Sequence, residues 1–199
     1  MGRQLLEWSD WQPGLDTDEM SLREVLDTLP AANAEDVPDI IRKYENPSSP
    51  DALPGAIALD RHDCLHVILG RGLRVQDEAF VIGATMGAAS DITSELVEQF
   101  IEISTKLYPP HWRFEDAHIP SYRLGVGFAK DMLANKDLHL IPFEGPKYQQ
   151  RKVGEIRDEL GLVKSEMRAY FRKEEILVPG TRASRRLDTS ARRPDKSLE

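Results

Sequence analysis

Between Asp91 and Pro109-Pro110, the apolar residues Ile92, Leu96, Phe100, Ile101, Ile103 and Leu107 recur largely at the spacing of a helix face. That spacing groups them on one side of an α-helix, whereas a half-buried strand would alternate every second residue. Two consecutive prolines end the run, because neither can donate the backbone hydrogen bond that would extend it. The same grammar repeats along the chain. Ser21 is a natural N-cap for a helix carrying Leu22, Val25, Leu26 and Leu29 and ending at Pro30. Asn33 caps a second helix with Pro38 still in its first turn, and Ser49-Pro50-Asp51 reads as the start of a third. Ser121 to Ala134, Val153 to Leu160 and Lys164 to Glu175 continue the helical period. The expected fold is therefore all-α, a single-domain helical bundle over residues 1–179.

Composition sets the outer limits. A chain of 199 residues, 40% apolar and 30% charged, can bury one continuous core. It has no run of eighteen apolar residues, so no membrane-spanning helix is expected. The start, Met1 to Trp8, has neither the apolar stretch of a signal peptide nor the acid-poor character of a transit peptide. A cytoplasmic protein is expected, with one cysteine, Cys64, that reads as a buried thiol rather than a nucleophile. Of the net charge of −8, residues 180–199 contribute six basic and three acidic side chains, leaving −11 on the remainder. Such a body excludes nucleic acid as an expected partner. The tail itself, rich in Ser, Thr, Arg and Pro and poor in apolar residues, is expected to be disordered and basic.

The chemistry concentrates in Asp60-Arg61-His62-Asp63-Cys64-Leu65-His66-Val67-Ile68-Leu69-Gly70-Arg71-Gly72. On a helix His62 and His66 lie ~40° apart, and Asp63 lies ~100° from His62, so one cation can reach all three. Glu78 would sit ~18 Å from His66 on an unbroken helix. Gly70-Arg71-Gly72, however, is the natural place for a helix to stop on a left-handed residue and reverse, which returns Glu78 to the level of His66. Two imidazoles and one or two carboxylates form a donor set for one divalent metal, with zinc foremost and iron(II), manganese or cobalt as alternatives. The competing reading has Asp63 paired with Arg61 or Arg71, or orienting a histidine from behind.

The pattern H-D-x-x-H followed after eleven residues by Glu, here His62, Asp63, His66 and Glu78, resembles the signature of the coenzyme Q biosynthesis family that bears the number four (Coq-four). Gly127-Phe128-Ala129-Lys130 and Glu155 to Leu162 resemble later segments of the same family, so the likeness spans about residues 50 to 163. The resemblance implies a helical, often dimeric protein, peripheral at the inner face of the cell membrane and needed for ubiquinone synthesis. It implies His62, Asp63, His66 and Glu78 as metal ligands. It further implies a prenylated quinone precursor or other isoprenoid lipid as ligand, other quinone-biosynthesis enzymes as partners, and oxidative decarboxylation of the prenylated ring or organisation of the biosynthetic complex. His62-Asp63 alone also resembles HD-type phosphohydrolases, but no histidine precedes His62 to complete that site.

Other residues carry weaker expectations. Gly83 and Gly87 place small residues at helical spacing, for close helix packing or a slender apolar groove beginning near Glu78. Arg71, Arg123 and Lys130, with Arg74, are candidates for holding an anionic ring carboxylate or phosphate. His111, Trp112, His118 and Tyr122 suggest an ordered loop or a lid, and Trp8 and Trp11 beside Leu5 and Leu6 suggest contact with a lipid surface.

Overall fold

A computed structural model describes residues 8–30, 37–134 and 136–188. Among these are ten α-helices and no β-strand; an isolated bridge joins Ser21 to Lys152. The helices are α1 (Leu22–Leu26), α2 (Asp39–Glu45), α3 (Leu59–Leu69), α4 (Val75–Ala88), α5 (Ser94–Lys106), α6 (Ile119–Met132), α7 (Pro146–Gln149), α8 (Val153–Leu160), α9 (Lys164–Leu177) and α10 (Arg182–Asp188). Among the described residues, no helix is long and apolar enough to cross a membrane.

Ser21 caps α1 as its sequence predicts. Its hydroxyl accepts from the Glu24 amide at 3.2 Å, and Glu24 accepts from the Ser21 amide at 2.7 Å, so two otherwise orphaned donors are satisfied reciprocally. Two expectations need correcting. α2 begins at Asp39, with Pro38 outside it as the N-cap residue, and Asn33 lies outside the described residues. Ser49-Pro50-Asp51 starts no helix; the chain from 46 to 58 forms turns, and α3 begins at Leu59. Short polar side chains are the cause. Asn46 accepts from the Ser48 amide at 2.9 Å and Ser49 from the Asp51 amide at 3.2 Å, giving the backbone local partners that compete with a helix.

α4 is the centre of the bundle, with eleven of its fourteen residues buried, so it is covered on nearly all sides. Phe80, Val81 and Ala84 join one core cluster with Leu65, Ile68, Phe128 and Ile156. Ala79 and Met86 join another with Ile41, Phe100 and Tyr122. Against α6 the two backbones nearly touch. A Cβ on Gly83 would lie 2.2 Å from the Tyr122 carbonyl, one on Gly125 2.2 Å from that of Phe80, and one on Gly87 2.7 Å from that of Val126. Gly125→Ala must push the helices apart, which is expected to cost about 1–3 kcal/mol or more in urea unfolding. An unchanged midpoint would mean that this contact is slack.

The C-terminal expectation changes as well. Residues 182–188 are helical, and Ala183 and Ser184 are buried, so the ordered bundle extends past residue 180. Hydrogen bonds, which an apolar count misses, dock α10. Thr181 donates to Gln76 Oε1 at 2.7 Å, Gln76 Nε2 donates to Ser184 Oγ at 2.9 Å, and Ser184 donates to the Val178 carbonyl at 2.9 Å. Residues 189–199 of the expected tail lie outside the described residues. Trp11 is core rather than lipid-facing: it is 3% exposed and its Nε1 donates to Thr28 at 2.9 Å. The Trp8 side chain, Leu5 and Leu6 are outside the described set.

Candidate metal centre

α3 ends as its glycine predicts. Gly70 adopts φ 69°, its amide bonds the Val67 carbonyl at 3.1 Å, and the Arg71 amide bonds that of His66 at 2.8 Å. This paired closure satisfies two terminal carbonyls and turns the chain back. Arg157, buried on α8, caps the same helix end from outside. Its guanidinium donates to the carbonyls of Val67 at 3.1 Å and Ile68 at 2.9 Å, and to Asp18 at 2.6 Å. A cation at the C-terminal end of α3 also suits the helix dipole.

The reversal brings Glu78 of α4 onto the two histidines of α3. His62 Nε2 lies 3.0 Å from Glu78 Oε2 and 3.0 Å from His66 Nε2, and His66 Nε2 lies 3.3 Å from the same Glu78 oxygen. His66 is completely buried. Its Nδ1 is 2.8 Å from the Gly72 carbonyl, which can only accept, so Nδ1 carries a hydrogen and Nε2 is the atom that offers a lone pair to a metal once its own proton is lost. Three donor atoms of compatible chemistry thus converge, and His62, His66 and Glu78 form a group that can hold a metal ion. Bonds of about 2.1 Å imply donor separations of about 3.0 Å for an octahedral edge and about 3.4 Å for a tetrahedral one. The observed triangle falls in that range and commits only one face of an ion. Two imidazoles and one carboxylate serve both zinc hydrolases and iron(II) oxygenases, so the donor set fits either class of metal.

Asp63 stands outside this group. Arg61 and Arg71 do not hold it: Arg61 is bidentate to Glu144, at 2.6 and 2.8 Å, and Arg71 pairs with Glu174. Burial pushes the Asp63 pKa up, against the pull of both imidazoles. Cys64 is buried, its Sγ donates to the Asp60 carbonyl at 3.2 Å, and burial raises its pKa to about 12. At neutral pH it is a thiol with no nucleophilic character.

Burial alone would lower the pKa of His66, but the charge and hydrogen bond of Glu78 outweigh it and raise the value above 6.5. Burial would raise Glu78, yet the His66 charge and the bonds to both imidazoles hold it well below 4.5. In the metal-free protein the Glu78 contribution to stability is present above about 4.5 and lost as pH falls through its lowered value. The His66 contribution is present below about 6.5 and lost as pH rises through its raised value. A metal must displace that proton, so metal affinity rises with pH. Zinc titrations are expected to give binding at least about tenfold tighter at pH 8 than at pH 6. Equal affinities would remove His66 from the ligand set.

The expected ligand-contacting residues do not assemble here. Arg71 is fully buried, its guanidinium over the rings of Phe80 at 3.4 Å and Phe171 at 4.6 Å. Arg123 reaches across to Glu98 on the exposed side of α5 at 2.5 Å, and Lys130 is exposed on α6. Gly83 and Gly87 meet the backbone of α6, which fills the face where a groove was expected. In the expected lid, Tyr122 is a core residue stacked on Phe100 at 5.0 Å, while Trp112 is exposed.

The opening beside the centre lies elsewhere, where α2, α3, α4 and α5 meet. A cavity with ≈ 280 Å³ of empty space, part of it open to solvent, is bordered by His62, Glu45, Leu53, Ile82, Met86 and Phe100. Glu45 is missing from the sequence reading because nothing in its local pattern ties it to His62, 17 positions away. Burial pushes its pKa up to about 7, against the hydrogen bond from Tyr108 and the attraction of His62. Comparison with protein-family models, curated proteins and solved structures finds no match to this chain.

Proposed function

We propose that this protein acts in ubiquinone (coenzyme Q) biosynthesis, with one divalent metal at His62, His66 and Glu78 serving oxidative decarboxylation of a prenylated hydroxybenzoate-type ring. One observation carries the reading: the H-D-x-x-H and Glu pattern folds into three donor atoms within 3.3 Å of one another beside a largely apolar cavity. When bound, the metal supplies a Lewis acid with open positions and, if redox-active, a centre for dioxygen chemistry. Glu78 supplies the negative charge of the site and the Gly72 carbonyl fixes the His66 ring. A lipid-soluble precursor places the protein as a peripheral partner of the inner face of the cell membrane.

The second reading is a scaffold that presents an isoprenoid precursor to partner enzymes around a structural metal, and the complete burial of His66 favours it. Purified protein, loaded with iron(II) or zinc in parallel, is given the prenylated hydroxybenzoate in air, and carbon dioxide release is followed. Release that is lost in a folded His66→Ala variant supports the enzyme. Wild-type protein that co-purifies with isoprenoid and releases none supports the scaffold and removes the catalytic reading.

A further inference from the structure

Gln76 stands two residues before Glu78 in the first turn of α4 and is buried. Its side-chain amide has two hydrogens to donate and an oxygen that accepts, and α10 completes that set. Nε2 donates to Ser184 Oγ at 2.9 Å and to Glu174 Oε1 at 3.0 Å, while Oε1 accepts from Thr181 at 2.7 Å. Undocking α10 would take away two of these three partners and leave the amide unmatched inside the bundle, which is costly.

The carboxylate that Gln76 holds leads to the other side of the metal centre. Glu174 Oε1 also accepts from Ser121 at 2.7 Å, and Oε2 accepts from Arg71 Nη1. Arg71 has no second anchor of this kind: its Nε and Nη2 are buried without a hydrogen-bond partner among the described residues, and the rings of Phe80 and Phe171 cover its guanidinium. The aim of Glu174 therefore fixes Arg71, and the next residue is Gly72, whose carbonyl lies 2.8 Å from His66 Nδ1. α10 thus bears on the centre twice, through the turn that carries Glu78 and through the loop that orients His66. Productive coordination holds its donors to within about 0.5 Å, so a triangle with edges of 3.0, 3.0 and 3.3 Å tolerates little movement of either support.

We propose that Gln76 is a positioning residue of the metal centre and that α10, by docking on it, sets the affinity for metal. The docked helix holds the tight-binding arrangement, and its release loosens both Glu78 and His66. This rests on the metal centre of the proposed function and not on its substrate. Coupling between two sites is reciprocal, so bound metal must hold α10 down by the factor by which α10 tightens the metal.

Both directions of that coupling are measurable on the full-length protein. Cobalt(II) is titrated while its visible absorption is followed, and Thr181→Val combined with Ser184→Ala is expected to bind it at least about fivefold more weakly than wild type. Phe114→Leu, which removes a ring packed on Phe100 in the other core cluster, is expected to keep wild-type affinity whatever its cost in melting temperature. In the wild-type protein, saturating cobalt is expected to slow amide hydrogen exchange in α10 at least about fivefold, and by more than in α5. The exchange measurement needs no substitution, so it decides the matter even where the double variant does not fold. Wild-type affinity in the double variant, an equal loss in Phe114→Leu, or α10 exchange slowed no more than that of α5 overturns the coupling and leaves the centre standing. Wild-type protein that takes up no cobalt removes the centre itself, and the coupling with it.

Discussion

Replacing His66 with alanine is expected to lower divalent-metal affinity more than about a hundredfold, since even the partners that orient a ligand are worth about 10–100-fold. His66 is the innermost of the three donors: it is fully buried, its Nδ1 is bonded to Gly72 at 2.8 Å, and its Nε2 lies 3.0 Å from His62. The variant keeps His62 and Glu78 but loses the third corner of the triangle, and a two-point site does not hold a metal through purification. Elemental analysis of protein purified at pH 8 is the measurement, with circular dichroism to show that α3 is intact. His111→Ala is the natural control, because His111 is exposed in the segment between α5 and α6. Full metal occupancy in the His66 variant would remove the centre from this part of the fold.

The second large effect concerns stability. Glu174→Ala is expected to destabilise the protein by about 3–5 kcal/mol, because it strands the Arg71 charge in the core. Both partners of this ion pair are completely buried. Glu174 also accepts from Gln76 at 3.0 Å and from Ser121 at 2.7 Å, so one carboxylate ties α4, α6 and α9 together. Arg71 sits between Gly70 and Gly72, and the loop it anchors contains the carbonyl that orients His66. The variant should therefore lose metal affinity as well as unfolding at lower urea. Arg71→Met combined with Glu174→Ala removes the stranded charge and is expected to recover much of the loss. A single variant that costs under about 1 kcal/mol would show that the pair is dispensable.

Much of the centre was legible in the sequence because it rests on local rules. The four-residue spacing of His62 and His66 puts them on one face of α3, and Gly70 takes the left-handed conformation that ends the helix. Those two facts bring Glu78 within 3.3 Å of His66. Asp63 shares the helix but not the donor triangle, since sequence spacing fixes direction around the axis and not which carboxylate arrives first.

The sequence by itself determined the helical class, the reversal within Gly70-Arg71-Gly72 and the convergence of His62, His66 and Glu78, all set by backbone preferences that act within a few residues. Tertiary structure alone decided that Arg71 is sealed in the core against Glu174, 103 positions away. It also set Gly83 and Gly87 against α6 and docked α10 through side-chain hydrogen bonds. Glu45 reaches the cavity beside His62 by the same route. The reason is physical. Helical periodicity states which residues share a face, but the partner of that face follows from the packing of the whole bundle, where burial and hydrogen-bond satisfaction are settled together.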